Sequence, residues 1–105
     1  MIPDDVKSIE KYAFYDCTGL TKMELPDSIE KIGKYAFAKC TQLNKISIPD
    51  KVTKLDEYVF DACGLEEIII PWSVRSIEMC CFDHCDNLED IYYKGSEQDW
   101  EGIIL

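Results

Sequence analysis

Residues 25–49 read LPDSIEKIGKYAFAKCTQLNKISIP, and this stretch holds every part of a unit that recurs along the chain. An apolar residue followed by proline marks each copy: Ile2-Pro3, Leu25-Pro26, Ile48-Pro49 and Ile70-Pro71. Successive copies lie 23, 23 and 22 residues apart. A fixed period of this length is typical of a solenoid, in which small units stack and bury their apolar sides against each other.

Each unit contains a strand pattern. Leu43, Ile46 and Ile48 follow the spacing L-x-x-L-x-L, and their last two apolar positions alternate with a polar one. This alternation predicts a strand with one buried face, and the following proline ends it because proline cannot donate to a ladder. The same spacing returns at Leu20/Met23/Leu25, Leu65/Ile68/Ile70 and Leu88/Ile91/Tyr93.

The rest of each unit predicts a short extended piece and then a helical segment. The extended piece is marked by an apolar pair: Val6/Ile9, Ile29/Ile32, Val52/Leu55 and Val74/Ile77. Residues 12–17, 35–40, 58–63 and 80–85 follow with helix-like spacing, which predicts about two turns of helix with Ala, Phe and Cys facing inward. The fold class is therefore a β-rich solenoid with short helical turns, about four repeats and a parallel β-ladder.

One connection is shorter than the others. Residues 63–65 lack one residue that residues 17–20 contain, which explains the step of 22. We expect a surface turn to absorb this deletion, with Gly64 supplying the backbone freedom that closes it.

The pattern I-P-x-x-V-x-x-I-x-x-Y-A-F-x-x-C-x-x-L-x-x-I, found from residue 2 to about 93, resembles the BspA-like leucine-rich repeats of bacterial surface proteins. Residues 92–100 also resemble the segment that often closes such arrays. The resemblance implies a protein-binding module of a larger secreted or surface-attached protein, located outside the cell or on its surface. By the same resemblance, its partners would be host or matrix proteins or another cell's surface.

The length of 105 residues predicts one domain, residues 1–105. Its expected divisions are units at about 2–24, 25–47, 48–69 and 70–92, with a C-terminal cap at 93–105. The chain begins within a unit, so we interpret it as a piece of a longer array or an engineered protein. The exposed first unit predicts self-association through its open edge. No secretory signal is visible in this chain, and no apolar run approaches the roughly 20 residues of a membrane span.

Charge is distributed unevenly. Residues 1–55 carry a net +1 and residues 56–105 a net −11, within a total of −10. Such a field repels phosphate backbones, which argues against a nucleic-acid partner. It favours a cationic partner surface, although a solvated acidic face would have the same composition.

Four of the six cysteines, Cys17, Cys40, Cys63 and Cys85, share one position of the repeat. They predict a buried column of reduced thiols, each donating weakly to a backbone carbonyl, because parallel side chains stacked in a ladder have poor disulfide geometry. Cys80 and Cys81 replace the Tyr-Ala of the other units and form C-C-x-x-H-C with His84 and Cys85. This spacing matches no established zinc pattern, so a thiol or metal site at Cys80, Cys81 and His84 is a remote alternative, with Cys80 as the more reactive thiol.

The sequence predicts no enzyme, no cofactor and no metal site. It has one histidine, no glycine-rich phosphate loop and no calcium-loop motif. Its carboxylate pairs recur with the repeat at surface positions, where they lack the pocket and shifted pKa that acid–base catalysis requires.

The residues that depart from the repeat are candidates for binding. Outward strand positions turn from polar to apolar at Ile69 and Tyr92, and Trp72 stands where other units have aspartate. The predicted partner site comprises Glu66, Glu67, Ile69, Trp72, Glu89, Asp90 and Tyr92. An aromatic group with a charged rim is typical of a binding site. Two alternatives stay open here: Trp72 and Tyr92 could pack under the C-terminal segment, or the repeats could act purely as a structural spacer.

Overall fold

Short parallel strands form the walls of the molecule. The computed structural model describes residues 2–104. The elements are β1 (Ser8–Ile9), β2 (Lys31–Ile32), β3 (Lys45–Ser47), β4 (Lys54–Leu55), β5 (Glu67–Ile70), β6 (Ser76–Ile77), β7 (Asp90–Tyr93) and α1 (Glu97–Ile104). The element order and the parallel pairing confirm the predicted leucine-rich-repeat solenoid.

The main sheet has the strand order β3-β5-β7, and its register steps by one unit. Ile46 pairs with Ile68, and Ile68 pairs with Ile91, so equivalent residues of successive units stack directly. The first unit joins the sheet through a single parallel bridge between Lys22 and Lys45. The extended pieces form two smaller pairs, β1-β2 and β4-β6.

Each proline begins a turn, and Pro49 and Pro71 do so just after strands β3 and β5. The carbonyls of Pro3, Pro26, Pro49 and Pro71 each accept a hydrogen bond from the backbone N–H three residues further on. A proline at this point removes no ladder bond, and its fixed φ suits the start of a turn. The repeated proline therefore turns the chain at the same corner in all four copies.

The predicted helical segments are not helices, and here the sequence interpretation was wrong. Residues 12–17 form successive turns in which Tyr12 and Asp16 have φ of 61° and 60°. Their N–H groups bond alternately within the unit and to the next unit: Tyr15 donates to Tyr12, whereas Phe14 donates to Ala36 at 2.8 Å. The same left-handed pairs recur at Tyr35/Lys39, Tyr58/Ala62 and Cys80/His84.

The reason is the spacing between units. Packed helices lie about 8–10 Å apart, whereas parallel strands lie about 4.8 Å apart. On the turn side, the ring centroids of Tyr12 and Tyr35 are 4.9 Å apart, and those of Tyr35 and Tyr58 are 4.8 Å apart. The turn side therefore keeps the spacing of a strand ladder, which leaves no room for a helix in each unit.

Gly64 closes the shortened connection by a different means from the one predicted. In residues 2–104 no glycine has a positive φ. A Cβ on Gly64 would instead overlap the backbone carbonyl oxygen of Thr41 in the preceding unit. The deletion thus draws two connections together, and glycine is required by close approach rather than by backbone freedom.

The core fills the space between the main sheet and the turn side. Its side chains come mostly from the second and third units, where Phe37, Phe60, Leu43 and Leu65 are fully buried. The phenylalanine rings stack in one column, with centroids 5.6 Å apart for Phe37 and Phe60. The buried aromatic column confirms that the repeated phenylalanines are structural.

Candidate functional site

The outer face of the main sheet carries the predicted partner-binding residues in two rows. One row runs Lys45–Glu67–Asp90, and the other runs Ser47–Ile69–Tyr92, by direct strand register. Side chains on one face of neighbouring strands are close enough to interact. The change from polar to apolar inferred from the sequence is therefore a real column on one surface.

The acidic members of the predicted site lie together. Glu66, Glu67, Glu89 and Asp90 line a shallow depression of about 300 Å³ with Asn44 and Lys45. Lys45 Nζ lies 3.4 Å from Glu67 Oε1, an exposed ion pair that neutralises one of the four carboxylates. The depression therefore keeps a net negative charge and can attract a cationic group.

The two aromatic members are exposed. Tyr92 is 51% exposed and Trp72 is 56% exposed. The C-terminal helix packs on a different aromatic side chain, Tyr93. The ring of Trp100 in α1 lies against it, with ring centroids 5.2 Å apart. The alternative in which Trp72 and Tyr92 pack under the C-terminal segment is thus wrong, because Tyr93 and Trp100 take that role.

Trp72 stands apart from the other predicted site residues. It follows Pro71 and lines a separate concavity on the flank of the sheet, together with Asp50, Lys51 and Arg75. Ile69 and Tyr92 share the open sheet face. The structure therefore divides the predicted site into a sheet patch, Glu66/Glu67/Ile69/Glu89/Asp90/Tyr92, and a flanking tryptophan.

A further concavity was not foreseen from the sequence. It has a volume of about 730 Å³ and lies along the extended pieces, where β1-β2 and β4-β6 are separate pairs. Basic and acidic side chains both line this concavity: Lys31, Lys54, Arg75, Glu30 and Asp56. The sequence did contain a pattern that predicts this polar surface. One position of the repeat is polar in all four units, namely Ser8, Lys31, Lys54 and Ser76.

The cysteine column is confirmed in part: Cys40 and Cys63 are buried, whereas Cys17 and Cys85 are only partly buried. Three of its four thiols make the predicted hydrogen bond to a backbone carbonyl. The Sγ atoms of Cys40, Cys63 and Cys85 donate to the carbonyls of Phe14, Phe37 and Phe60 at 3.1, 2.8 and 3.0 Å. Burial raises the pKa of the Cys40 thiol to about 11 and also raises the pKa values of Cys63 and Cys85. A protonated thiol that donates to a carbonyl is a poor nucleophile, so this column is structural.

The residues of the C-C-x-x-H-C segment are separated in the fold. Cys81 is buried, and burial raises the pKa of its thiol, whereas Cys80 is partly exposed. Interaction with the Cys80 thiol raises the pKa of Tyr58, the last tyrosine of the stacked column. In the part of the chain that the structure describes, none of these cysteines joins His84 in a group of three convergent ligand atoms.

His84 instead faces two carboxylates. Its Nδ1 lies 3.1 Å from Asp61 Oδ1 and 3.9 Å from Asp83 Oδ2. The hydrogen bond with Asp61, together with the charges of Asp83 and Asp61, raises the pKa of His84. Asp61 belongs to the preceding unit, which explains why sequence reasoning based on neighbouring residues overlooked it.

Comparison with known proteins identifies the family. The family model for the BspA type leucine rich repeat region matches residues 2–101 in six copies, so the chain belongs to this family. Leucine-rich-repeat families of this kind are generally non-enzymatic modules for protein interaction. None of the curated proteins compared with the chain matches it.

Solved structures of bacterial repeat proteins share the fold. A leucine rich cell surface protein from Faecalibacterium prausnitzii is 33% identical, with a TM-score of 0.76 over 97% of this chain and 33% of its own. The T. pallidum leucine rich repeat protein is 32% identical, with a TM-score of 0.78 over 89% of this chain and 47% of its own. A protein from Bacteroides ovatus is 28% identical, with a TM-score of 0.61 over 83% of this chain. The chain thus spans between about a third and a half of the first two relatives.

The helix α1 is eight residues long. Among residues 2–104, no helix has the length and apolar character needed to cross a membrane.

Proposed function

We propose that this chain is a non-enzymatic protein-binding module of a larger bacterial protein that is secreted or attached to the cell surface. The observation that carries the proposal is the sheet patch, where Ile69 and half-exposed Tyr92 share a row beside four carboxylates. Repeat proteins bind partners through such extended surfaces, whose outward residues are free to vary.

The chemistry of the patch favours a cationic protein partner. Exposed Tyr92 and partly exposed Ile69 supply apolar contact, and aromatic anchors contribute strongly to protein interfaces. Glu66, Glu89 and Asp90 form a rim that would pair with lysine or arginine of the partner and speed its association. The relative from Faecalibacterium, described as a cell surface protein, supports the proposed location.

A purely structural spacer is the second candidate. It is favoured by the regularity of the second and third units, whose repeated cysteines and phenylalanines serve only packing. A spacer would carry no specific ligand, so an experiment that selects binding peptides distinguishes a spacer from a binding module.

The test is a peptide-display selection against the immobilised protein. We expect enrichment of peptides that combine lysine or arginine with an apolar residue, and an affinity that falls as salt rises because exposed charges are screened. The matched comparison is Ile69→Ser/Tyr92→Ser, which should lose at least about tenfold in affinity, equivalent to about 1.4 kcal/mol.

Two controls define the outcome. Ser47→Ala removes a polar side chain from the same outward row and should leave peptide binding unchanged. Thermal unfolding should show that the double variant remains folded, since surface substitutions usually change stability by about 0.5 kcal/mol or less. Failure to enrich any peptide over the double variant would favour the spacer.

A further inference from the structure

Asp61 and Asp83 form a stacked pair of like charges created by the repeat. Lys39 N–H donates to the Asp61 carbonyl at 2.7 Å, and Ala62 N–H donates to the Asp83 carbonyl at 2.8 Å. The two aspartates therefore occupy the same position in adjacent units. In the first two units this position holds Tyr15 and Ala38. Like charges stacked in this way repel each other unless a cation lies between them.

His84 brings a nitrogen donor to the same point. Its φ of 58° is left-handed, a conformation that histidine adopts more readily than most residues. One oxygen of each aspartate and Nδ1 of His84 lie within 4.8 Å of one another. This convergence combines an imidazole with two carboxylates, which distinguishes it from the depression on the sheet, where no histidine lies among the carboxylates.

The two carboxylates of the cluster have no direct ion pair with a permanently charged side chain in the part of the chain that the structure describes. His84 is their common partner. The side chain of Asp61 is 19% exposed, so one carboxylate is held in a largely buried position. A divalent cation would neutralise both carboxylates at once.

We propose that Asp61, Asp83 and His84 form a binding site for a divalent transition-metal ion of the zinc class, with solvent completing its coordination. Zinc binds imidazole nitrogen and carboxylate oxygen at about 2.0–2.2 Å, which places ligand atoms about 3.4 Å apart in a tetrahedral site. The distance from His84 Nδ1 to Asp61 Oδ1 already suits this geometry. Rotation of the half-exposed Asp83 side chain would shorten the distance from Nδ1 to Asp83 Oδ2 to the same range. Calcium and magnesium prefer sites made of oxygen ligands, so they should bind more weakly.

The experiment is a titration of the full chain with Zn²⁺ and, as a spectroscopic probe, Co²⁺. The chain has one histidine, so its imidazole signals in nuclear magnetic resonance spectra report the site without ambiguity. We expect saturable binding of one ion that shifts these signals, and Co²⁺ absorption without thiolate charge-transfer bands. A large excess of Mg²⁺ or Ca²⁺ should not displace Zn²⁺.

Variants distinguish this site from the thiols. His84→Asn keeps a residue that tolerates left-handed backbone, and it should weaken Zn²⁺ binding at least about tenfold, as should Asp61→Asn. Asp86→Asn alters a carboxylate whose charge acts on His84 but which lies outside the three-ligand group, so it should retain binding. Cys80→Ser should also retain it. Absence of saturable binding, or binding lost in Cys80→Ser and kept in His84→Asn, would overturn the proposal.

Discussion

The second and third units differ from the fourth in what their side chains do. In the second and third units the repeat positions serve packing: Phe37 and Phe60 are fully buried, and Tyr35 stacks between Tyr12 and Tyr58. In the fourth unit, Cys80 ends the tyrosine column and His84 turns toward two carboxylates. Where packing does not fix a residue, the sequence is free to acquire surface chemistry. Because Asp61 and Ile69 of the third unit pair with His84 and Tyr92 of the fourth, function is best sought where these two units meet.

The largest expected effect is in the buried aromatic column. Phe60→Ala removes a fully buried ring that lies 5.6 Å from Phe37 and 5.8 Å from Phe82, between centroids. We expect its free energy of unfolding to fall by about 3–5 kcal/mol, because the lost ring leaves a cavity between two units. Chemical denaturation measures this loss.

Phe82→Ala is the matched variant in the fourth unit. Phe82 is only partly buried, so its truncation exposes less new cavity surface and should cost less. Equal losses in the two variants would contradict the proposed difference between the middle of the stack and its fourth unit.

A smaller effect is expected at the shortened connection of the third unit, where it packs against the second unit. Gly64→Ala places a Cβ against the Thr41 carbonyl oxygen and should cost about 1–3 kcal/mol, since backbone atoms must move. Gly19→Ala is the control, because a Cβ there meets nothing within 4 Å. Urea denaturation of both variants would measure the difference, and a neutral Gly64→Ala would show that the two connections are not tightly apposed.

The smallest predicted effect concerns the thiols at alkaline pH. Burial raises the folded pKa of Cys40 to about 11, above the usual value of about 8.5 for an unfolded thiol. Below the unfolded pKa both states are protonated, and the stabilisation is fully present. As pH rises toward the folded pKa, the unfolded thiol ionises first, and the free energy of unfolding falls.

Unfolding midpoints in urea between pH 7.5 and 10.5 measure this alkaline loss of stability. Other groups titrate in the same range, so the informative quantity is the difference in slope between the wild-type chain and Cys40→Ala. The substitution should flatten the pH dependence. An identical slope in both proteins would show that the Cys40 thiol does not contribute to it.

Much of the fold was predictable because the same apolar and proline positions recur in every repeat, so each structural inference is supported by several copies. The alternation in Ile46-Ser47-Ile48 indicated the strand and its buried face, and four prolines at one position indicated the corner. The thiol hydrogen bond of Cys63 was predictable because a buried cysteine needs an acceptor in the adjacent unit. The helix-like spacing misled, since the periodicity of Ala36, Phe37 and Cys40 does not distinguish a helix from paired turns.

The candidate sites were predictable only in part. Ile69 and Tyr92 could be placed on one face from their position in the repeat, and the strand register confirms that placement. The sequence did not show that Trp72 lies away from Ile69 and Tyr92. The turn that begins at Pro71 changes the direction of the chain, and the repeat period does not reveal that change.

The sequence by itself determined the solenoid, the members of its core and the surface row of the main sheet, because each depends on a pattern repeated at a fixed period. The tertiary structure alone decided the turn conformations, since hydrogen bonds such as Phe14 to Ala36 form only when units stack at strand spacing. It also decided the Tyr93–Trp100 contact and the meeting of Asp61 with His84. These residues are distant in sequence and meet only when the chain folds, so local sequence patterns do not predict their contacts.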